Sequence, residues 1–143
     1  MPDAIKLRVI LKSPPPGVDF GLQSGQGNPY EVIGKKRSGK GDLRFELQVG
    51  TKERAGKSAD LDFTGPFLQG KAGERFFYID IGTYAGQADS VYGRRLKIPL
   101  SGISKAAAAK AKTKAFETVI VGTGKDGGPA CATPKDFSGW KVK

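Results

Sequence analysis

Asp42 to Val49 is the stretch that most restricts the fold. Leu43, Phe45, Leu47 and Val49 alternate with Asp42, Arg44, Glu46 and Gln48, and successive side chains of an extended chain point to opposite faces. Such a strand has one apolar and one wet face, the mark of an antiparallel sheet with a single packed side. Ile5, Leu7, Val9 and Leu11 repeat the pattern against Lys6, Arg8 and Lys12. Ser13-Pro14-Pro15-Pro16-Gly17 ends that strand, because proline lacks the N–H a ladder needs.

Further short strands are expected at Val18–Gln23, Tyr30–Ile33, Leu61–Phe63, Val91–Leu100 and Phe116–Val121, with polar loops at 24–29, 50–60, 84–90 and 122–129. Gly65-Pro66-Phe67-Leu68-Gln69-Gly70 reads as a turn leading into Glu74–Gly82. Phe76, Phe77 and Tyr78 in succession load both faces of that strand, so it is expected to be central, with Phe77, Ile79 and Ile81 on a core face. One helix is predicted, from Ser104 to about Lys114, with Ser104 as N-cap and alanines and lysines as strong helix formers. Trp140, the sole tryptophan, would tie down the tail by packing. With Gly at 21 of 143 residues, turns and short strands dominate. The expected fold is mainly β (α+β): one domain over 1–143, a curled antiparallel sheet forming a sandwich or partial barrel. It has six or seven short strands and the Ala/Lys-rich helix.

Lys and Arg number 24 against 14 Asp and Glu, a net charge of +10, which favours anionic partners. Density is highest in the last forty residues, which hold 8 basic and 3 acidic groups. Cys131 stands alone, so no intrachain disulfide is possible, and a reducing compartment fits. The N-terminus lacks an apolar signal segment, and no apolar run approaches the 18 or so residues a membrane helix needs. A cytoplasmic location without membrane association is the expectation.

The sequence contains no histidine, which excludes Ser-His-Asp and Cys-His catalysis and histidine-bearing zinc sites. Cys131 reads as a small buried hydrophobe. Gly34-Lys35-Lys36-Arg37-Ser38-Gly39-Lys40-Gly41 begins like a phosphate loop. It then carries Gly41 where the magnesium-binding hydroxyl belongs, and a strand follows instead of a helix. Asp60, Asp62, Glu74 and Asp80 could pair as acid and base, although ion pairing with nearby Arg or Lys is the simpler reading. No metal and no cofactor are implied.

Several short motifs recur in a recognisable order: Asp19-Phe20-Gly21-Leu22-Gln23, Asp42-Leu43-Arg44-Phe45, Phe63-Thr64-Gly65-Pro66-Phe67 and Gly70 with Arg75-Phe76-Phe77-Tyr78. Pro99-Leu100-Ser101-Gly102-Ile103, Gly128-Pro129-Ala130-Cys131-Ala132-Thr133 and Gly139-Trp140 complete the series. Together they resemble a bacterial family of unknown function, domain of unknown function 5990, from about Lys6 to Trp140. The resemblance implies a small domain found alone and brings no activity, cofactor or catalytic residue with it. The Ala/Lys-rich helix and the lysines at 35–40 depart from the family pattern.

The leading functional reading is a non-enzymatic binding domain for an anionic small molecule or a protein partner. Its candidate site is Phe76, Tyr78 and Asp80 with Arg94 and Arg95. The first alternative is nucleic-acid binding, single-stranded or duplex, through Lys35, Lys36, Arg37 and Lys40 on a basic loop, with aromatics as stacking faces. The second is an enzyme using Asp, Glu, Tyr or Arg chemistry.

Overall fold

The computed structural model describes residues 3–23, 32–54, 57–81, 94–100, 102–121 and 140–143. Nine strands and one helix lie among them: β1 (Ala4–Lys12), β2 (Asp19–Gln23), β3 (Val32–Arg37), β4 (Leu43–Arg54), β5 (Lys57–Thr64), β6 (Phe76–Ile81), β7 (Arg94–Pro99), α1 (Lys105–Ala111), β8 (Ala115–Val121) and β9 (Lys141–Val142). They form two open sheets, β5-β4-β1-β8-β9 and β3-β2-β6-β7. The mainly β expectation holds, with two sheets and no closed barrel. The strand count exceeds the expected six or seven.

The alternating strands behave as their pattern dictates. Leu7, Val9 and Leu11 of β1 are at most 1% exposed, and Phe45 and Val49 of β4 are buried beside them. β1 is the middle strand of its sheet, antiparallel to β4 and parallel to β8. That parallel pair departs from an otherwise antiparallel scheme. Apolar residues of both sheets, including Phe20, Phe77, Ile79 and Ile98 from the four-stranded one, join in a single core cluster.

Residues 50–54 and 57–60, expected within a loop, instead belong to two paired strands, β4 and β5. β4 runs to Arg54 and pairs with β5 through Thr51↔Phe63, Lys52↔Asp62 and Glu53↔Leu61. A polar run with no period forms a ladder here because Leu61 and Phe63 bury their side chains. An ion pair at Asp62 anchors the same segment.

The turn at Gly65–Gly70 packs as well as reverses the chain. Phe67 and Leu68 are core residues, and the Phe67 ring meets Phe77 edge-on at 5.9 Å. Gln69 and Phe76 exchange backbone hydrogen bonds of 2.8 and 3.1 Å, so the turn closes directly onto β6. Gly70 has φ +88°, and a Cβ there would sit 2.5 Å from the Glu74 carbonyl oxygen. Neither a left-handed backbone nor that carbonyl accommodates a side chain readily. Gly70→Ala is expected to cost about 2 kcal/mol in urea unfolding, and a change below roughly 0.5 kcal/mol would show that the turn tolerates a side chain.

α1 begins as predicted. The Ser104 hydroxyl accepts from the Ala107 N–H at 3.1 Å. It stops earlier than Lys114, because Lys112 turns out of helical geometry at φ 53° and ψ −112°. Ala108 and Ala111 are buried, and the small side chains let the helix lie close against β5. Trp140 packs at 4% exposure, and its indole N–H donates to the Pro99 carbonyl at 3.2 Å. This joins the C-terminal edge of one sheet to the end of the other.

Candidate functional site

β6 is an inner strand of its sheet, and its face away from Phe77 and Ile79 carries Phe76, Tyr78 and Asp80. Phe76 and Tyr78 are half-buried, with ring centres 5.2 Å apart and planes at 70°. The ammonium of Lys97, a residue not singled out from the sequence, lies 4.3 Å from the Phe76 ring centre. Asp80 is fully buried. In the ladder Arg95 stands opposite Asp80 and Arg94 opposite Ile81. By strand alternation the Arg95 position therefore belongs with Phe76, Tyr78 and Asp80, and the Arg94 position belongs to the other face. The side chains of both arginines lie outside the described residues.

The basic stretch is a loop only in its second half. Lys35, Lys36 and Arg37 belong to β3, because the residues from Val32 onward pair with β2, and backbone pairing of this kind ignores side-chain charge. Arg37 grips Asp19 with two hydrogen bonds, 2.9 and 3.1 Å. Lys36 donates to the Arg44 carbonyl and lies 5.3 Å from the Phe45 ring centre. Lys40 is exposed in the turn that follows, and the Lys35 side chain is outside the described residues. Two of the four candidate cations are thus engaged within the fold.

The described candidate carboxylates differ in surroundings: Asp62 and Asp80 are buried, and Glu74 is exposed. Asp62 is 1% exposed and takes Arg75 Nε at 3.1 Å and Nη2 at 3.3 Å, with the Gly73 N–H at 3.4 Å. Burial pushes its pKa up, but the Arg75 hydrogen bond and charge and the Phe63 and Gly73 amides outweigh burial together. The group sits below its ordinary value of 3.8. Glu74 is on the surface beside Lys71. Asp60's side chain and Cys131 lie outside the described residues. Among the described residues no group of three His, Cys, Asp or Glu side chains could hold a metal, and no helix is long and apolar enough to cross a membrane.

A different feature emerges on the wet face of the five-stranded sheet. A groove of about 260 Å³ is lined by Lys6, Leu7, Arg8, Glu46, Leu47, Gln48 and Ala115. The register explains it. Gln48, Lys6 and Ala115 form one cross-strand row, and Glu46, Arg8 and Glu117 form the next. Ala115 is the small member of its row, so the row leaves space there. Arg8 is held from both sides, by Glu46 at 3.3 Å and Glu117 at 3.1 Å. The Glu117 hydrogen bond, against a smaller opposing effect of burial, raises the guanidinium above its ordinary value. Lys6 is exposed and makes no ion pair or side-chain hydrogen bond with the described residues.

More positive charge gathers at this end of the sheet. Ala115 exchanges backbone hydrogen bonds with Lys143, and the turn entering Ala115 carries the exposed Lys112 and Lys114. The charge density of the last forty residues was the sequence signal for this cluster. The link to Lys6 was not legible, because it depends on β8 lying parallel to β1.

Searches among curated proteins and among solved structures find no match to this chain. A family model described as "Family of unknown function (DUF5990)" matches residues 5–143. With nearly its whole length covered, the chain belongs to the DUF5990 family.

Proposed function

We propose that this chain is a non-enzymatic binding domain for a small anion, received in the groove between Lys6, Arg8, Gln48 and Ala115. The observation that carries the reading is Lys6, an ammonium without a carboxylate among the described residues, at the edge of an open space. Beside it Arg8 is immobilised by two carboxylates, so the wall of the groove is ordered before any ligand arrives, which reduces the entropy lost on binding. Glu46 and Glu117 are committed to arginine and lysine partners, which argues for recognition over proton transfer. The Phe76–Tyr78 face is the less favoured site, because its described cation, Lys97, already lies over the Phe76 ring. Nucleic-acid binding through β3 has lost two of its cations to internal partners.

The test is titration calorimetry with small mono- and dianions at constant low ionic strength. Lys6→Ala is expected to weaken binding about tenfold, the loss of one partly screened charge pair worth roughly 1.4 kcal/mol. Lys40→Ala, which removes the same charge elsewhere, is expected to change it less than twofold. Equal losses from the two variants would mean that net charge, and not the groove, governs binding.

A further inference from the structure

The wet face of β1 and β8 carries a second surface, further along the sheet than the groove. We infer that it docks a short acidic segment of a partner protein, anchored by one apolar side chain between two carboxylates. The surface shares no residue with the groove lining and stands independently of it.

Val119 is the anchor point. It is 54% exposed, while Phe116, Thr118 and Ile120 on the other side of β8 are buried, as strand alternation requires. Ile10 stands beside Val119 in the ladder and is half-buried on the same face. Together they make a small apolar row in a face otherwise dominated by charged and polar side chains.

The register sets the charges around this row. Lys12 lies two residues beyond Ile10 on β1, opposite Val121. Lys141 lies opposite Glu117, two residues before Val119 on β8. Val119 is therefore the diagonal neighbour of both lysines. Strands about 4.8 Å apart and a rise of about 6.7 Å per two residues put each lysine about 8 Å from it, on opposite sides. Both lysines are exposed and make no ion pair or side-chain hydrogen bond with the described residues. The carboxylates of this face are already held. Asp42 accepts from the Ser13 N–H at 2.9 Å, Glu46 is paired with Arg8 and Arg44, and Glu117 with Arg8 and Lys143. What stays unanswered along one diagonal is a cation, an apolar side chain and a second cation.

An extended peptide matches that order, because its same-face side chains recur about every 6.7 Å. Carboxylates two places before and after an apolar residue fall about 13 Å apart, and the flexible lysine stems span the remainder. A nucleic-acid strand fits less well. Phosphates give Val119 and Ile10 nothing to bury against, and the described residues of β1, β4, β8 and β9 place no aromatic ring on this face for a base to stack on.

The experiment is an amide-resolved NMR titration of the full chain at low ionic strength. The probe is a blocked seven-residue peptide of serine and glycine, with leucine at its centre and glutamate two places to either side. Saturable shifts are expected at Lys12, Val119 and Lys141, with a dissociation constant of roughly 1 mM. Val119→Thr, nearly isosteric and at an exposed position, is expected to weaken binding about fivefold. Lys12→Gln and Lys141→Gln are each expected to weaken it about threefold. Val142→Thr changes the other exposed valine, which pairs with Phe116 on the opposite face, and is expected to leave binding unchanged. Lys6→Ala is also expected to leave it unchanged, so a failure of the groove reading would leave this surface standing. Replacing the peptide's leucine by serine, or moving its glutamates next to the leucine, is expected to weaken binding as much as Val119→Thr does. If either altered peptide binds as tightly as the parent peptide, or if Val119→Thr binds the parent peptide unchanged, the inference is overturned. It is overturned as well if a thymidine trinucleotide, which carries the same two charges, shifts these amides and binds more tightly than the peptide.

Discussion

Asp62→Ala is expected to cost about 3–5 kcal/mol, the range for breaking a buried ion pair from one side. The carboxylate is 1% exposed and takes a two-point grip from Arg75, so its loss strands a guanidinium whose side chain is itself only 25% exposed. Lys52, at 3.7 Å and 57% exposed, adds little, because water screens it. The pair connects β5 to the segment entering β6, so losing it should loosen the whole turn from Gly65 to Arg75. Arg75→Ala should cost as much or more, since it leaves a buried negative charge without its main partner. The double variant should fall well short of the sum, because the two residues act on one interaction. Chemical denaturation of the three variants measures all of this, and additive losses would show that the pair is not coupled.

The same residue sets a pH dependence. Asp62 titrates below its ordinary value of 3.8 in the folded chain, so folding favours its ionised form. Its contribution is complete above the unfolded value and is lost as pH falls through the lower folded one. The stability gap between the parent chain and Asp62→Asn should therefore be constant near neutrality and shrink below about pH 4. A gap unchanged in acid would mean that the carboxylate's charge does not matter.

Features that depended on local pattern were legible in the sequence, and features that depended on long-range pairing were not. The alternation at Asp42–Val49 and at Ile5–Leu11 specified strands with one dry face, since burial follows the two-residue period directly. Ser104 announced its helix through cap chemistry that involves only the next three residues. The polar strand pairing of residues 51–54 with 57–64 gave no such sign. Its ladder is held by Leu61 and Phe63 reaching the core and by Asp62 meeting Arg75, thirteen residues on. Lys35–Arg37 misled for the opposite reason: a basic composition suggested a loop, while backbone pairing with β2 made a strand. The groove was the least legible feature. Lys6, Gln48 and Ala115 come from three separate regions of the chain, and only the order β4-β1-β8 brings them into one row.

Phe76 and Phe77 provide the sharpest test of how the central strand is built, because adjacent residues on one strand should respond very differently. Phe77 is 0% exposed and meets Phe67 at 86° between ring planes, an arrangement that adds a favourable edge-to-face contact to its burial. Phe77→Ala removes a large ring from a site walled by both sheets, and a close-packed core refills such a space only in part. The expected loss is about 4 kcal/mol. Phe76 lies on the other face, half-buried, with Tyr78 and the Lys97 ammonium for neighbours. Its backbone bonds to Gln69 survive truncation, so Phe76→Ala should cost about 1–2 kcal/mol, from partial burial and a surface cation–π contact. Urea unfolding of the two variants decides the matter. Equal losses would mean that the outer face of β6 is as tightly packed as the inner one, and a larger loss at Phe76 would reverse the assignment of wet and dry faces. The expected ratio, large at Phe77 and small at Phe76, follows from a strand whose inner face belongs to the core and whose outer face is only partly covered.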